Sequence, residues 1–205
     1  MDTLVKARQV ADYIKSNWRL PTGTNARPMP VSENIAAIMV DAVFQAGLNY
    51  RTVVLPRVWA VARTFPKLDS LRTLEAAMRT KSFATALAWN HPEKPQRLRE
   101  LVSFLRSHGL DTIDDLRTWL EAPHHRELLR SVRGIGHKTV DYLAKLVGLP
   151  TIAVDRHAHR LLRDAGIIAR GYEQARRILE FAADLLRISR WTFDRLMWDT
   201  LSAPA

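Results

Sequence analysis

Two stretches of the 205-residue chain combine residue types that can do chemistry together: Gly134-Ile135-Gly136-His137-Lys138-Thr139, and Asp155 seventeen positions after Lys138. A Gly-Ile-Gly turn between two helices predicts a hairpin, since its glycines allow positive φ. Their N–H groups and the next helix N-terminus then converge on one spot, a nest that takes a phosphate, while Ile135 packs back into the core. Lys138 falls in the first turn of the following helix, where the positive helix end disfavours its own charge, as a nucleophilic amine requires. Asp155 begins another helix after Gly148-Leu149-Pro150 and the apolar run Thr151-Ile152-Ala153-Val154. A short return loop there brings a carboxylate beside the amine as electrostatic or general-base partner. On these residues alone a plainer reading stays open: a DNA-holding module in which Lys138 touches phosphate and Asp155 merely caps a helix.

Charge and composition point to the partner. Lys+Arg number 31 against 21 Asp+Glu, a formal charge of +10, which suits a polyanion because each cation near a phosphate releases a counterion. Only seven of the 31 are lysines (6, 15, 67, 81, 94, 138, 145), so a lysine in a candidate site stands out. Between Arg126 and Arg190, thirteen basic residues face seven acidic ones, which puts Arg133, Lys145 and Arg156 at phosphates around the reactive pair. The absence of cysteine excludes disulfides, thiolate metal sites, cysteine nucleophiles and cysteine-held iron–sulfur clusters. His157 and His159 point in different directions on a helix and find no third ligand, so no metal is expected. No membrane segment or signal peptide is read, and the chain is expected to be a monomer in the cytoplasm, at the nucleoid.

The elements that must position these groups are helical. Apolar residues recur every three or four positions and glycine and proline are sparse, predicting an all-α protein. Helices are expected over 2–17, after a Ser32 cap to Gly47, from Asn49 with Pro56 kinking the helix or marking its start, over 71–79, 82–89 and 95–108, and from an Asp111 cap to Glu121. A short helix 127–132, the hairpin, and helices 138–147, 157–164, 172–188 and 191–201 follow. The segment 20–30 reads as a loop joining two units.

The two reactive stretches resemble the helix-hairpin-helix Gly/Pro-Asp superfamily of DNA glycosylases, in its endonuclease III-like branch. The likeness rests on Gly134-Ile135-Gly136-His137-Lys138-Thr139 and Pro150-Thr151-Ile152-Ala153-Val154-Asp155-Arg156-His157, and extends weakly from Ile35 to Trp198. It implies a six-helix barrel over 31–150 ending in the hairpin, a second helical domain from 1–30 and 151–205, and a DNA cleft between them. Lys138 and Asp155 would face each other across that boundary. With no cysteine for the cluster many relatives carry, Trp191, Phe193, Leu196, Met197 and Trp198 must hold the C-terminal region by packing.

The activity implied is removal of a damaged, oxidised base from duplex DNA. The nucleotide is flipped out, Lys138 attacks C1′ to form a Schiff base, and β-elimination cuts the strand, with Asp155 activating the amine and stabilising the cationic sugar. No metal or diffusible cofactor takes part. The hairpin residues Gly134, Gly136, His137 and Thr139 would hold the backbone, and Gln45 would help fill the gap left by the base. Asn49, Tyr50 and Trp89 are candidates for the base pocket. A specialised oxidised-guanine glycosylase/lyase is a narrower alternative within this class. A glycosylase that activates water through Asp155, and a non-enzymatic DNA-binding protein, stand outside it.

Overall fold

The computed structural model describes residues 2–20 and 33–202, and every regular element in them is helical. The Ser32 cap and most of the 20–30 connection lie outside the described residues. Two compact units are formed, one from Pro28–Leu149 and one from Met1–Arg27 with Pro150–Ala205. None of the described helices is long and apolar enough to cross a membrane.

The first unit is organised by α2 (Ile35–Phe44), whose ten residues are all buried. Its composition, IAAIMVDAVF, is apolar on every side, which makes it a core helix rather than an amphipathic one. Asn34 starts it: the side-chain oxygen accepts from Ala37 N at 3.0 Å while its amide donates to Phe65 O at 2.7 Å. Around it pack α3 (Leu55–Thr64), α4 (Leu71–Ala77), α6 (Glu93–Ser107) and α9 (His137–Leu146). A π-helical turn, Tyr50–Val54, leads into α3, and Pro56 sits in the first turn, where a missing N–H costs nothing. Pro56 therefore marks a start rather than a kink.

Eight α-helices occupy this unit among the described residues; α5 (Lys81–Leu87) has its own cap at Thr80, and Pro123 begins α8 (Pro123–Leu129) straight after α7 (Ile113–Glu121). The cap of α7 is Thr112, not Asp111. Thr112 and Asp115 close a reciprocal capping box, and the backbone N–H groups of Thr112 and Asp111 hold the Asp115 carboxyl below its ordinary range. Asp111 instead accepts from Arg72 N and from the Arg106 guanidinium, both at 2.9 Å, so it ties α4 to α6.

The second unit has its own core. Ala7, Val10, Ala11 and Ile14 of α1 (Thr3–Asn17) pack against α11 (Gly171–Leu185), with Ala175, Ile178, Leu179 and Ala182 buried. Phe193 and Met197 of α12 (Arg190–Ser202) fill the same core, while the two tryptophans of that helix are half-buried. Leu161 and Leu162 come from α10 (Arg156–Asp164).

Because Asn34 satisfies both an α2 N–H and a loop carbonyl, Asn34→Ala should lower stability by about 1–2 kcal/mol in urea denaturation. An unchanged midpoint would contradict its role as the start of the core helix.

Candidate nucleic-acid interface and reactive groups

Between α8 and α9 the chain turns through the predicted hairpin. Ile135 is buried in the core of its unit, as expected, and its N–H donates to Val132 O at 3.0 Å. The two glycines do different work. Gly134 takes φ +79°, and a β-carbon there would lie 2.2 Å from Arg97 Nε and 2.3 Å from its Cζ. Gly136 has φ −99°, open to any residue, and a β-carbon on it would meet nothing within 4 Å. Positive φ is therefore needed once, not twice. Gly136, itself exposed, is the residue before α9, and no side chain caps that helix. Arg133 is exposed there, and His137 and Lys138 are half-exposed.

Lys138 occupies the first turn of α9, and the first turns of α6 lie beside the hairpin through Arg97. Arg97 pairs with Glu93 Oε1 at 2.7 Å while its guanidinium covers Gly134. One helical turn earlier, Lys94 Nζ donates to Val43 O at 2.9 Å and to Ala46 O at 2.7 Å, on either side of Gln45 at the end of α2. Burial lowers the Lys94 amine to about 8, helped by the Arg97 cation and, more weakly, by Lys138, with Glu93 opposing. Sequence reasoning passed over Lys94 and Arg97. The signal was present: two cations three apart near a helix N-terminus work against the helix dipole and need another reason to be there.

On the inner side of α9, Asp41 of α2 is fully buried and accepts from Tyr50 Oη at 3.0 Å and Tyr142 Oη at 3.1 Å. Burial pushes its carboxyl up to about 7 against the opposing pull of both hydroxyls and of Lys145. Burial and the Asp41 charge raise both tyrosines as well. Several residues expected to meet DNA are engaged in or near this cluster. Lys145, expected at a phosphate, is buried with its ammonium over the Tyr142 ring. Tyr50, expected in a base pocket, is committed to Asp41, and Asn49 caps the π-helical turn by accepting from Thr52 N at 3.1 Å. Thr139 is buried rather than presented to a backbone. Gln45 is also buried, folded back towards Ala42 O, so it does not project from the helix end. Trp89 is half-buried, edge-on to Phe44 and covered by the Arg57 guanidinium at 5.1 Å.

Asp155 is set by the second unit. Ile152 and Val154 are buried in its core, Val154 N donates to Tyr172 Oη at 3.2 Å, and Thr151 Oγ1 donates to the buried Glu180 at 3.2 Å. Glu180 is itself held by Arg176 and Arg190, each at 3.4 Å, and Arg190 also donates to Pro150 O. The segment 150–154 thus arrives fixed at Asp155, whose Oδ1 accepts from His157 N at 2.8 Å and Ala158 N at 3.2 Å. Capping therefore engages one oxygen, and the residue remains half-exposed. Arg156 is exposed, whereas His157 is buried, with Ser202 and Arg156 against its Nε2.

Residues 14–202 match the family described as Domain of unknown function (DUF8548). The chain belongs to that family. No curated protein matches it. DUF8548 carries no stated reaction, so the chemistry of this chain has to be argued from its residues. In this DUF8548 chain Gly134 and Gly136 are exposed and Lys138 is half-exposed in the first unit, and Asp155 is half-exposed in the second.

Two outcomes follow from the geometry. Gly134→Ala should destabilise by about 2–3 kcal/mol, since the backbone strain adds to displacement of Arg97, whereas Gly136→Ala should melt like wild type. Equal melting of both variants would contradict the assigned division of labour. An Asp41 carboxyl raised to about 7 stabilises the fold most when protonated. Its contribution is complete below the ordinary carboxyl range and is lost as pH rises through 7. Asp41→Asn, which stays neutral, should match wild type near pH 4 and exceed it at pH 8 by on the order of a few kcal/mol. Parallel stability curves for the two proteins would contradict it.

Proposed function

We propose that the chain is a DNA glycosylase with abasic-site lyase activity, acting on a damaged base in double-stranded DNA. The observation that carries the reading is a half-exposed lysine in the first turn of α9, directly after a hairpin whose glycine leaves that helix without a side-chain cap, within a chain of formal charge +10. The resemblance of the same residues to the helix-hairpin-helix Gly/Pro-Asp glycosylases supports it.

In this reading the duplex backbone is held at the Gly134–Gly136 turn, with Arg133, His137 and Arg156 contributing charge or hydrogen bonds to phosphate. The two-domain arrangement implied by that resemblance, with DNA bound between the domains, belongs to the same proposal. The target nucleotide leaves the stack because its sugar carbon is unreachable inside it. Neutral Lys138 Nζ forms a bond to C1′ as the glycosidic bond breaks, the bonding pair leaving with the base, which takes up a proton. Loss of a proton from nitrogen and ring opening give the iminium. Removal of a C2′ proton then expels the 3′ phosphate oxygen and cuts the strand. The Asp155 oxygen that is not committed to the cap stabilises the cationic sugar and relays protons to and from the lysine. These steps use no metal or diffusible cofactor. They require Lys138 and Asp155 to reach one sugar.

Borohydride trapping on duplexes carrying an abasic site, an oxidised guanine, an oxidised pyrimidine or no lesion tests the reading. Wild type should form lesion-dependent crosslinks, and Lys138→Gln should lose at least about 1,000-fold of the strand cutting while binding DNA within a few-fold of wild type. Asp155→Asn keeps the cap and should reduce turnover about 100-fold or more with little change in melting temperature. Cutting by Lys138→Gln at the wild-type rate would overturn the nucleophile. DNA binding with no crosslink on any duplex would favour a non-enzymatic DNA-binding role.

A further inference from the structure

We propose that the exposed face of α10 is a second phosphate-binding surface, on which Arg156, Arg160 and Arg163 lie along the sugar–phosphate backbone of duplex DNA. The inference rests on the DNA-binding part of the proposed function and extends it to a helix of the second unit. At about 100° per residue, Arg156, His159, Arg160 and Arg163 fall within roughly 100° of arc, and Asp164 stands at its edge. These five are the exposed residues of α10. The opposite face, with Ala158, Leu161 and Leu162, is buried in the core of the unit, so the stripe is carried on a fixed support. Arg156 Nε donates to His157 Nε2 at 3.4 Å and Arg160 Nη1 to Leu201 O at 3.5 Å, while the Arg163 side chain is 76% exposed.

Charge balance sets α10 apart from the other helices of its unit. α11 carries two arginines against three carboxylates, and α12 two against two. α1 has three cations, but Lys6 Nζ is tied to Ile168 O at 2.6 Å and Lys15 pairs with Asp12 at 3.9 Å. On α10 three arginines stand against one carboxylate, Asp164, which reaches Arg160 at 3.6 Å and Arg163 at 3.9 Å. Like charges one turn apart repel, so this face gains from an anion that runs along it. The three arginines advance by about 6 Å and then about 4.5 Å along the helix axis, in all roughly three nucleotide steps of a B-form strand. No apolar residue is exposed on α10. A membrane-bound helix inserts its apolar face, but that of α10 is already in the core, and a protein interface takes its centre from aromatic and apolar side chains. Phosphates need only the guanidinium forks. The stripe starts one residue after Asp155, so the strand it holds runs next to the carboxylate assigned to the chemistry.

The test is fluorescence anisotropy of the full chain on an undamaged duplex, repeated from about 50 to about 300 mM KCl. Arg160→Gln with Arg163→Gln should weaken binding about 10-fold or more near physiological salt and lower the slope of log affinity against log salt by about 2. Lysine at both positions should keep the slope. Arg8→Gln with Arg177→Gln removes the same charge from exposed sites on α1 and α11 and should change the slope by less than about 0.5. An unmoved slope in the α10 variant, or an equal drop in the α1 and α11 control, overturns the proposal. If the double α10 variant does not fold, Arg163→Gln alone should lower the slope by about 1, and no change there overturns it. Borohydride trapping of the wild type on an abasic duplex is read separately. Slopes as expected without crosslinks overturn the lyase chemistry and leave the α10 surface standing, whereas crosslinks with an unmoved slope overturn the surface alone.

Discussion

The contact between Arg97 and Gly134 sets the terms for everything around the hairpin. A guanidinium lies where any β-carbon on residue 134 would have to be, and the backbone there already has positive φ, so the position admits only glycine without local rearrangement. This contact fixes the loop before α9 to the first turns of α6. Lys94, three residues before Arg97, holds the same stretch of α6 to the end of α2. The buried Asp41 then closes the arrangement by joining α2 to α9 through Tyr142. The α6 and α9 helices are therefore each tied to α2 by polar contacts, over a core supplied by apolar residues of all three.

Polar groups used in this way carry an electrostatic cost that hydrophobic packing does not. A carboxyl with no exposure resists ionisation, and a lysine beside an arginine resists protonation. A fold needing only stability would place apolar residues at such positions at little loss. The shifted groups Asp41, Tyr50, Tyr142 and Lys94 lie on α2, on α6, on α9 and in the π-helical turn of one unit, away from its solvated arginines. In the second unit the corresponding device is the Glu180 cluster, which fixes Pro150 and Thr151 and so delivers Asp155 at the end of the segment 150–154.

The helical character of the chain, the burial of Ile135 and the capping role of Asp155 were legible in the sequence because they depend on local periodicity and short-range hydrogen bonding. Boundaries shifted where two residues competed for one role. Thr112 displaced Asp111 because its partner Asp115 completes a box, and Asp111 was drawn off to Arg72 N and Arg106. The contacts of Lys145, Tyr50, Thr139 and Gln45 inside their own unit were not legible for a common reason: residue type and charge count do not say which side of a helix faces the core. Lys145 reads as surface charge until Tyr142 and Asp41 are found beneath it. For Lys94 and Arg97 the sequence held only the hint of two cations near a helix N-terminus, since the Val43 and Ala46 carbonyls and the turn at Gly134 that they meet are far away in the chain.

The central claim is that one particular amine, Lys138, becomes covalently joined to a sugar carbon of DNA. The most direct measurement is proteolysis of the reduced protein–DNA adduct formed on an abasic-site duplex, followed by mass-spectrometric location of the modified residue. The account predicts the sugar remnant on the peptide containing Lys138. A remnant confined to Lys94, to another lysine or to the α-amino group would contradict it.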